Sequence, residues 1–148
     1  MKHPKSYDSP PETRKRMANV HLKNGKAETL LAKMLWNNGV RYRRNYKKIP
    51  GSPDIAITTS KIAVFVDGEF WHGKDWEVRK VRLKANREYW IEKIEENIAR
   101  DKRNDGLLRQ MGWIVIHFWE KDVIKETDSC VNKVLLLLNE DGDRYVGY

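Results

Sequence analysis

Asp54, Asp67, Glu69 and His72 fall in a short stretch where two apolar runs alternate with turns. Asp54 follows Ile49-Pro-Gly-Ser-Pro53, a turn sequence that can hold a carboxylate rigidly, and it opens the run Ile55-Ala-Ile57. Asp67 closes the second run, Ile62-Ala-Val-Phe-Val66, and Glu69 lies two residues further on. On an extended strand both carboxylates would point the same way. Two strands that converge their carboxylates can hold a hard divalent cation, which neutralises a phosphate and activates water for phosphodiester hydrolysis. His72 titrates near neutral pH and can act as general acid or base. Each piece also has a plainer reading, because Pro-Asp is a common turn dipeptide and Asp-Gly a hairpin signal. Joined in one stretch of a basic chain, they favour hydrolysis.

The wider composition agrees. The 148 residues carry 29 Lys+Arg against 21 Asp+Glu, a formal charge of +8. That balance suits a polyanion such as double-stranded DNA, bound by phosphate neutralisation. No apolar run approaches the roughly 20 residues of a spanning helix, so no membrane role is expected. The charged N-terminus lacks an apolar signal region, which predicts an intracellular, cytoplasmic and nucleoid-associated protein. A single cysteine, Cys130, excludes an intrachain disulfide and a four-thiolate zinc site. The length predicts one domain over residues 1–148, with residues 1–17 a basic N-terminal arm that includes Arg14 and Arg16.

The elements that must position these residues follow from periodicity. Leu30, Leu31, Met34 and Leu35 mark the apolar face of a helix over 26–36, closed by Asn37-Asn-Gly39. Residues 40–46 mix basic and aromatic side chains in an extended segment. Residues 54–57 form a strand, 58–61 a turn, and 62–66 a continuous apolar strand expected at the centre of a sheet covered on both faces. Residues 71–84 read as a charged irregular loop. A long helix over 86–111 carries the apolar stripe Trp90, Ile91, Ile94, Ile98, Leu107, Leu108 and Met111, with Arg100-Asp-Lys-Arg103 on solvent. A third strand over 113–119, a polar connection over 120–127 and a helix over 130–139 complete the order. This predicts an α/β or α+β sandwich, with a mixed central sheet flanked by helices.

Four runs carry a resemblance to a known family. They are Ile49-Pro-Gly-Ser-Pro-Asp54; Ala63-Val-Phe-Val-Asp-Gly-Glu-Phe-Trp-His-Gly73; Tyr89-Trp-Ile-Glu-Lys-Ile-Glu-Glu-Asn-Ile-Ala-Arg-Asp101; and Leu108-Arg-Gln-Met-Gly-Trp113 with Trp119-Glu120. Together they resemble the very-short-patch repair (Vsr) endonucleases over about residues 13–124. The resemblance implies a three-layer fold of the PD-(D/E)XK restriction-endonuclease-like class and an Mg²⁺-dependent endonuclease. It would nick duplex DNA next to a T·G mismatch in mismatch repair. It places the central metal ligand on Asp54, a backbone carbonyl ligand on Val66, and catalytic groups on His72 and Glu28. Phe70, Trp71 and Trp90 match positions that wedge between base pairs. Arg41, Arg43, Arg44, Lys47 and Lys48 are expected on DNA phosphates.

Two departures alter the expectation. Zinc-binding members of the family place Cys or His where this chain has Glu69 and Lys121, and residues 73–79 hold neither, so no structural zinc is expected. Asp67 stands where some members have a catalytic His, which makes it a second metal ligand, with Glu69 placed to help. That pattern is closer to ordinary restriction nucleases. The alternative function is therefore a restriction or homing-type endonuclease of the same fold acting on matched DNA, and mismatch-repair or restriction-modification partners are both open. A DNA-binding module with a vestigial site is a third reading, which the intact Asp54, Asp67 and His72 disfavour.

Overall fold

The computed structural model describes residues 25–146, with side chains to residue 140. The predicted basic arm, with Arg14 and Arg16, lies outside the described residues. Helix α1 (Lys26–Asn37) leads to β1 (Arg43–Arg44), β2 (Ile55–Ile57) and β3 (Ile62–Asp67). Two helices follow, α2 (Trp76–Arg82) and α3 (Arg87–Gln110), then β4 (Ile114–Trp119), α4 (Glu120–Lys125) and α5 (Thr127–Val146). The sheet order is β1-β2-β3-β4, antiparallel for the first two pairs and parallel for β3 with β4.

The continuous apolar run of β3 is explained by its neighbours. Ile62 and Val64 join Ile55, Ile57 and Phe118 on one face, where Leu31 and Leu35 of α1, Val123 of α4, and Val131 and Val134 of α5 cover them. Ala63 and Phe65 face the other way, with Ala56, Leu108 and Trp113, under α3. The small Ala56 and Ala63 let the long helix lie close to the sheet there. A strand buried on both faces cannot alternate apolar with polar residues, and this one does not. The result is a mixed four-stranded sheet between helices.

Several expectations shift. The segment read as an irregular loop contains α2, and the polar connection after β4 contains α4. Both helices are under two turns long, and α2 buries no residue, so neither leaves a 3.6-residue apolar period to read. Instead α2 is tied sideways to α3: Glu95 Oε2 accepts from Trp76 Nε1 at 3.0 Å and from Lys80 Nζ at 2.9 Å. Helix α3 runs unbroken through Gly106, and Leu107 and Met111 point outward.

Two glycines make opposite predictions. Gly73 has φ +71°, and a Cβ there would collide with the Ile98 side chain. Gly106 sits inside α3 with nothing near the place a Cβ would take. Gly73→Ala should cost about 1–3 kcal/mol of stability. Gly106→Ala should add about 0.5–1 kcal/mol. Denaturant melts of the two variants check both signs.

Candidate active site

Asp54 stands where β2 and β3 part. Its backbone carbonyl accepts from Asn45 N at 3.0 Å, and Tyr46 N donates to Pro53 O at 3.0 Å, which pins the turn against the sheet edge. Beyond Ile55, paired with Val64, the ladder ends. The Asp54 side chain takes over: Oδ2 accepts the Val66 N–H at 2.7 Å. The carboxylate is therefore fixed against the next strand at Val66, whose own carbonyl was expected as a ligand.

Asp67 closes β3 and is buried. Its Oδ2 lies 2.6 Å from His117 Nδ1, and its Oδ1 lies 3.8 Å from His72 Nε2. His72 sits in a tight turn closed by its N–H on Gly68 O at 3.1 Å, and its Nδ1 lies 2.6 Å from Asp101 Oδ2. His117 Nε2 lies 2.7 Å from Asp105 Oδ2. The residues form a chain of alternating carboxylates and imidazoles: Asp101, His72, Asp67, His117, Asp105. Asp101 and Asp105 are one helical turn apart on α3, so both reach toward the sheet from one face. Burial works to lower the affinity of both histidines for protons. Their carboxylate partners outweigh it, raising His72 and holding His117 up at about 9.

Sequence reasoning placed Asp101 on solvent and passed over His117 and Asp105. The parallel register held a signal for His117: it lies opposite Phe65, whose side chain shares a face with Asp67.

Glu28 completes the acidic wall. Its side chain accepts from Gly25 N at 3.2 Å at the start of α1 and lies 3.6 Å from the Arg44 guanidinium. Burial, then the hydrogen bond and charge of Asp54, push its carboxyl up to about 8. Its carboxyl therefore holds a proton more strongly than a free glutamic acid does. Glu120 is also raised, by burial and then by Glu69 and Asp54. Glu28, Asp54, Asp67, His72, Arg100 and Asp101 border a single cleft of about 630 Å³.

The other expected residues separate. Glu69 leaves the strand direction, because β3 ends at Asp67; it lines a neighbouring hollow, and its Oε2 accepts from Lys121 N at 3.4 Å. Trp71 and Trp90 are not exposed wedges in this conformation, at 1% and 4% exposure. They pack edge-to-face with each other and with Phe70, at centroid distances of 5.2–5.6 Å, and the Trp71 carbonyl accepts from Asn97 Nδ2 at 3.0 Å. Phe70 is half-buried. Arg44 faces Glu28, and Arg41 stacks on Trp36 at 3.7 Å, while Arg43, Lys47 and Lys48 are exposed. Among the described residues, no three His, Cys, Asp or Glu side chains converge as a metal-ligand set, and no helix is long and apolar enough to cross a membrane.

A sequence profile described as DNA mismatch endonuclease Vsr matches residues 6–78. The chain is similar to type II nicking enzyme V.NmeDIP of Neisseria meningitidis serogroup C, 53% identical over 84% of each chain. It is similar to type II nicking enzyme V.HpaIIP of Haemophilus parainfluenzae, 49% identical over 80% of this chain and 86% of that one. Against DNA mismatch endonuclease Vsr of Escherichia coli it is 32% identical over 72% of this chain and 67% of that one.

Glu28 and His117 make the DNA-free, metal-free protein lose stability as pH rises. Glu28 holds its proton more tightly folded than unfolded, so its contribution is lost as pH climbs from 4.5 toward about 8. The His117 contribution is complete below 6.5 and is lost through about 9. In chelator, Tm should fall between about pH 5 and about pH 9, and Glu28→Gln should flatten the lower part of that fall. A variant with the wild-type slope would contradict the assignment.

Proposed function

This chain belongs to the Vsr family of DNA endonucleases, and we propose that it nicks duplex DNA next to a T·G mismatch, in mismatch repair, with Mg²⁺ held in the cleft. The observation that carries this reading is that Asp54, just ahead of β2, and Asp67, at the end of β3, border one cleft together with His72. The donor set fits the ion. Carboxylate and carbonyl oxygens are hard ligands, and Mg²⁺ takes only one or two carboxylates while keeping several waters, so it needs no three-residue cage. Burial first, and neighbouring carboxylates after it, raise Glu28 and Glu120, and this supports a cleft that suits a cation.

Asp54, Asp67 and the Val66 carbonyl would hold the ion, with Glu28 beside Asp54. When bound, Mg²⁺ neutralises charge on the phosphate and lowers the pKa of a coordinated water. His72, oriented by Asp101, moves the proton at Nε2 as one P–O bond forms and another breaks. Arg100 on the cleft wall, with Arg43, Lys47 and Lys48, would neutralise flanking phosphates. Phe70 is the aromatic best placed to press between base pairs, and Trp71 and Trp90 would back it. The mixed four-stranded sheet between helices supports reading the chain as a single restriction-endonuclease-like domain.

The Asp54 and Asp67 pair also favours a second reading, a restriction-type endonuclease that acts on matched DNA. Two otherwise identical duplexes, one with a T·G mismatch, separate the readings when incubated with Mg²⁺. Selective nicking of the mismatched duplex is expected, and equal cutting of the matched one would select the alternative. Asp54→Ala should lose more than about 100-fold of the rate while retaining DNA binding. No structural zinc is expected, since Glu69 takes a backbone N–H of α4 where a thiolate would be needed. Removal of metals by chelator should leave Tm at neutral pH unchanged, and a large drop would show that a metal supports the fold.

A further inference from the structure

We propose that His117, braced by Asp105, is a positioning residue that turns a single Asp67 oxygen toward the cleft. The inference rests on the reading of Asp67 as a metal ligand. A buried carboxylate with two equivalent oxygens can rotate and offer either one, or both. Here Oδ2 is engaged by His117 Nδ1 at 2.6 Å, which leaves Oδ1 as the oxygen on the His72 side. The imidazole doing this is itself held at three places. Its far nitrogen lies 2.7 Å from Asp105 Oδ2, its face stacks on Phe65 at 4.7 Å with the planes 12° apart, and its backbone belongs to β4, in register with Phe65. Asp105 comes from α3, one turn beyond the Asp101 that holds His72. The two histidines thus flank Asp67 from opposite sides, and each is steadied by its own aspartate. His72 borders the cleft, whereas His117 does not. Ligating carboxylates require such outer partners to fix their orientation.

Two isosteric replacements separate this role from simple packing. Asn at position 117 carries an amide nitrogen where Nδ1 stood and can still donate to Asp67. Gln places its amide nearer the Nε2 position and can still reach Asp105 only. Binding of Mn²⁺ to the DNA-free protein, read from the electron paramagnetic resonance of the free ion, reports the site without activity. The Mg²⁺ concentration for half-maximal nicking is the second readout, and Tm in chelator confirms folding.

His117→Ala and His117→Gln should raise both metal constants about 10- to 100-fold. His117→Asn should recover most of that loss, and Asp105→Asn should fall between. If His117→Ala fails to fold, the Asn and Gln variants still decide. Asn and Gln variants that behave alike, or variants that bind Mn²⁺ as the wild type does, would overturn the inference. Wild-type protein that binds Mn²⁺ and nicks, with Asp54→Ala doing neither, leaves the endonuclease reading standing in that case. Wild-type protein that neither binds nor nicks overturns both.

Discussion

The hydrogen bond from Val66 N–H to Asp54 Oδ2, 2.7 Å long, is the constraint on which the site depends. It forms where the β2–β3 ladder runs out and a backbone donor would otherwise lack its strand partner. A carboxylate that substitutes for a carbonyl in the ladder cannot drift, so the residue that ends one pairing begins the acidic wall of the cleft. The turn behind it is stitched to the residues just after β1 by Asn45 and Tyr46, which carries the same rigidity back to the basic edge. The strand that supplies Val66 ends one residue later in Asp67, so two carboxylates share one local frame.

Burial and crowded negative charge shape the rest of the cleft. Burial, and then the proximity of Asp54 and Glu69, make Glu28 and Glu120 hold protons more strongly beside Asp67 and Asp101. Two imidazoles and two guanidiniums, His72, His117, Arg44 and Arg100, are interleaved with them. Charges of both signs therefore alternate along this wall, as the proposed binding of a cation together with a phosphodiester would require. The aromatic cluster of Phe70, Trp71 and Trp90 links the turn that carries His72 to α3.

Much of this was legible in the chain. The unbroken apolar run of β3 gave away its central position, and the spacing of Asp54, Asp67 and His72 around it gave the cleft. The relatives place the chain in the family that those runs resemble. What the sequence could not convey has physical causes. Helices α2 and α4 are too short to leave a period. Glu69 was expected beside Asp67 by strand alternation, but the strand stops first. Trp71 looked available because it lies in a charged segment, and Trp90 only through the family resemblance, yet with Phe70 these rings gain more by packing on each other than by facing water. Asp101 read as a surface charge on a polar helix face and Asp105 was passed over, because only the packing of α3 over the His72 turn and β4 reveals that histidines lie beneath them.

Helix α3 therefore works as a measuring stick. Its two aspartates sit at the repeat length of the helix and reach two histidines that arrive from different parts of the chain, one from a turn and one from a strand. Each residue added to a helix rotates every later side chain by about 100°. A single insertion between Asp101 and Asp105 would swing the second carboxylate away from the sheet while leaving the first in place. Drift in length, ordinarily tolerated at a solvent-facing stretch, is thus forbidden along these few residues. Sequence change in this lineage should reach the helix by replacement, and insertions should collect in the connections on either side.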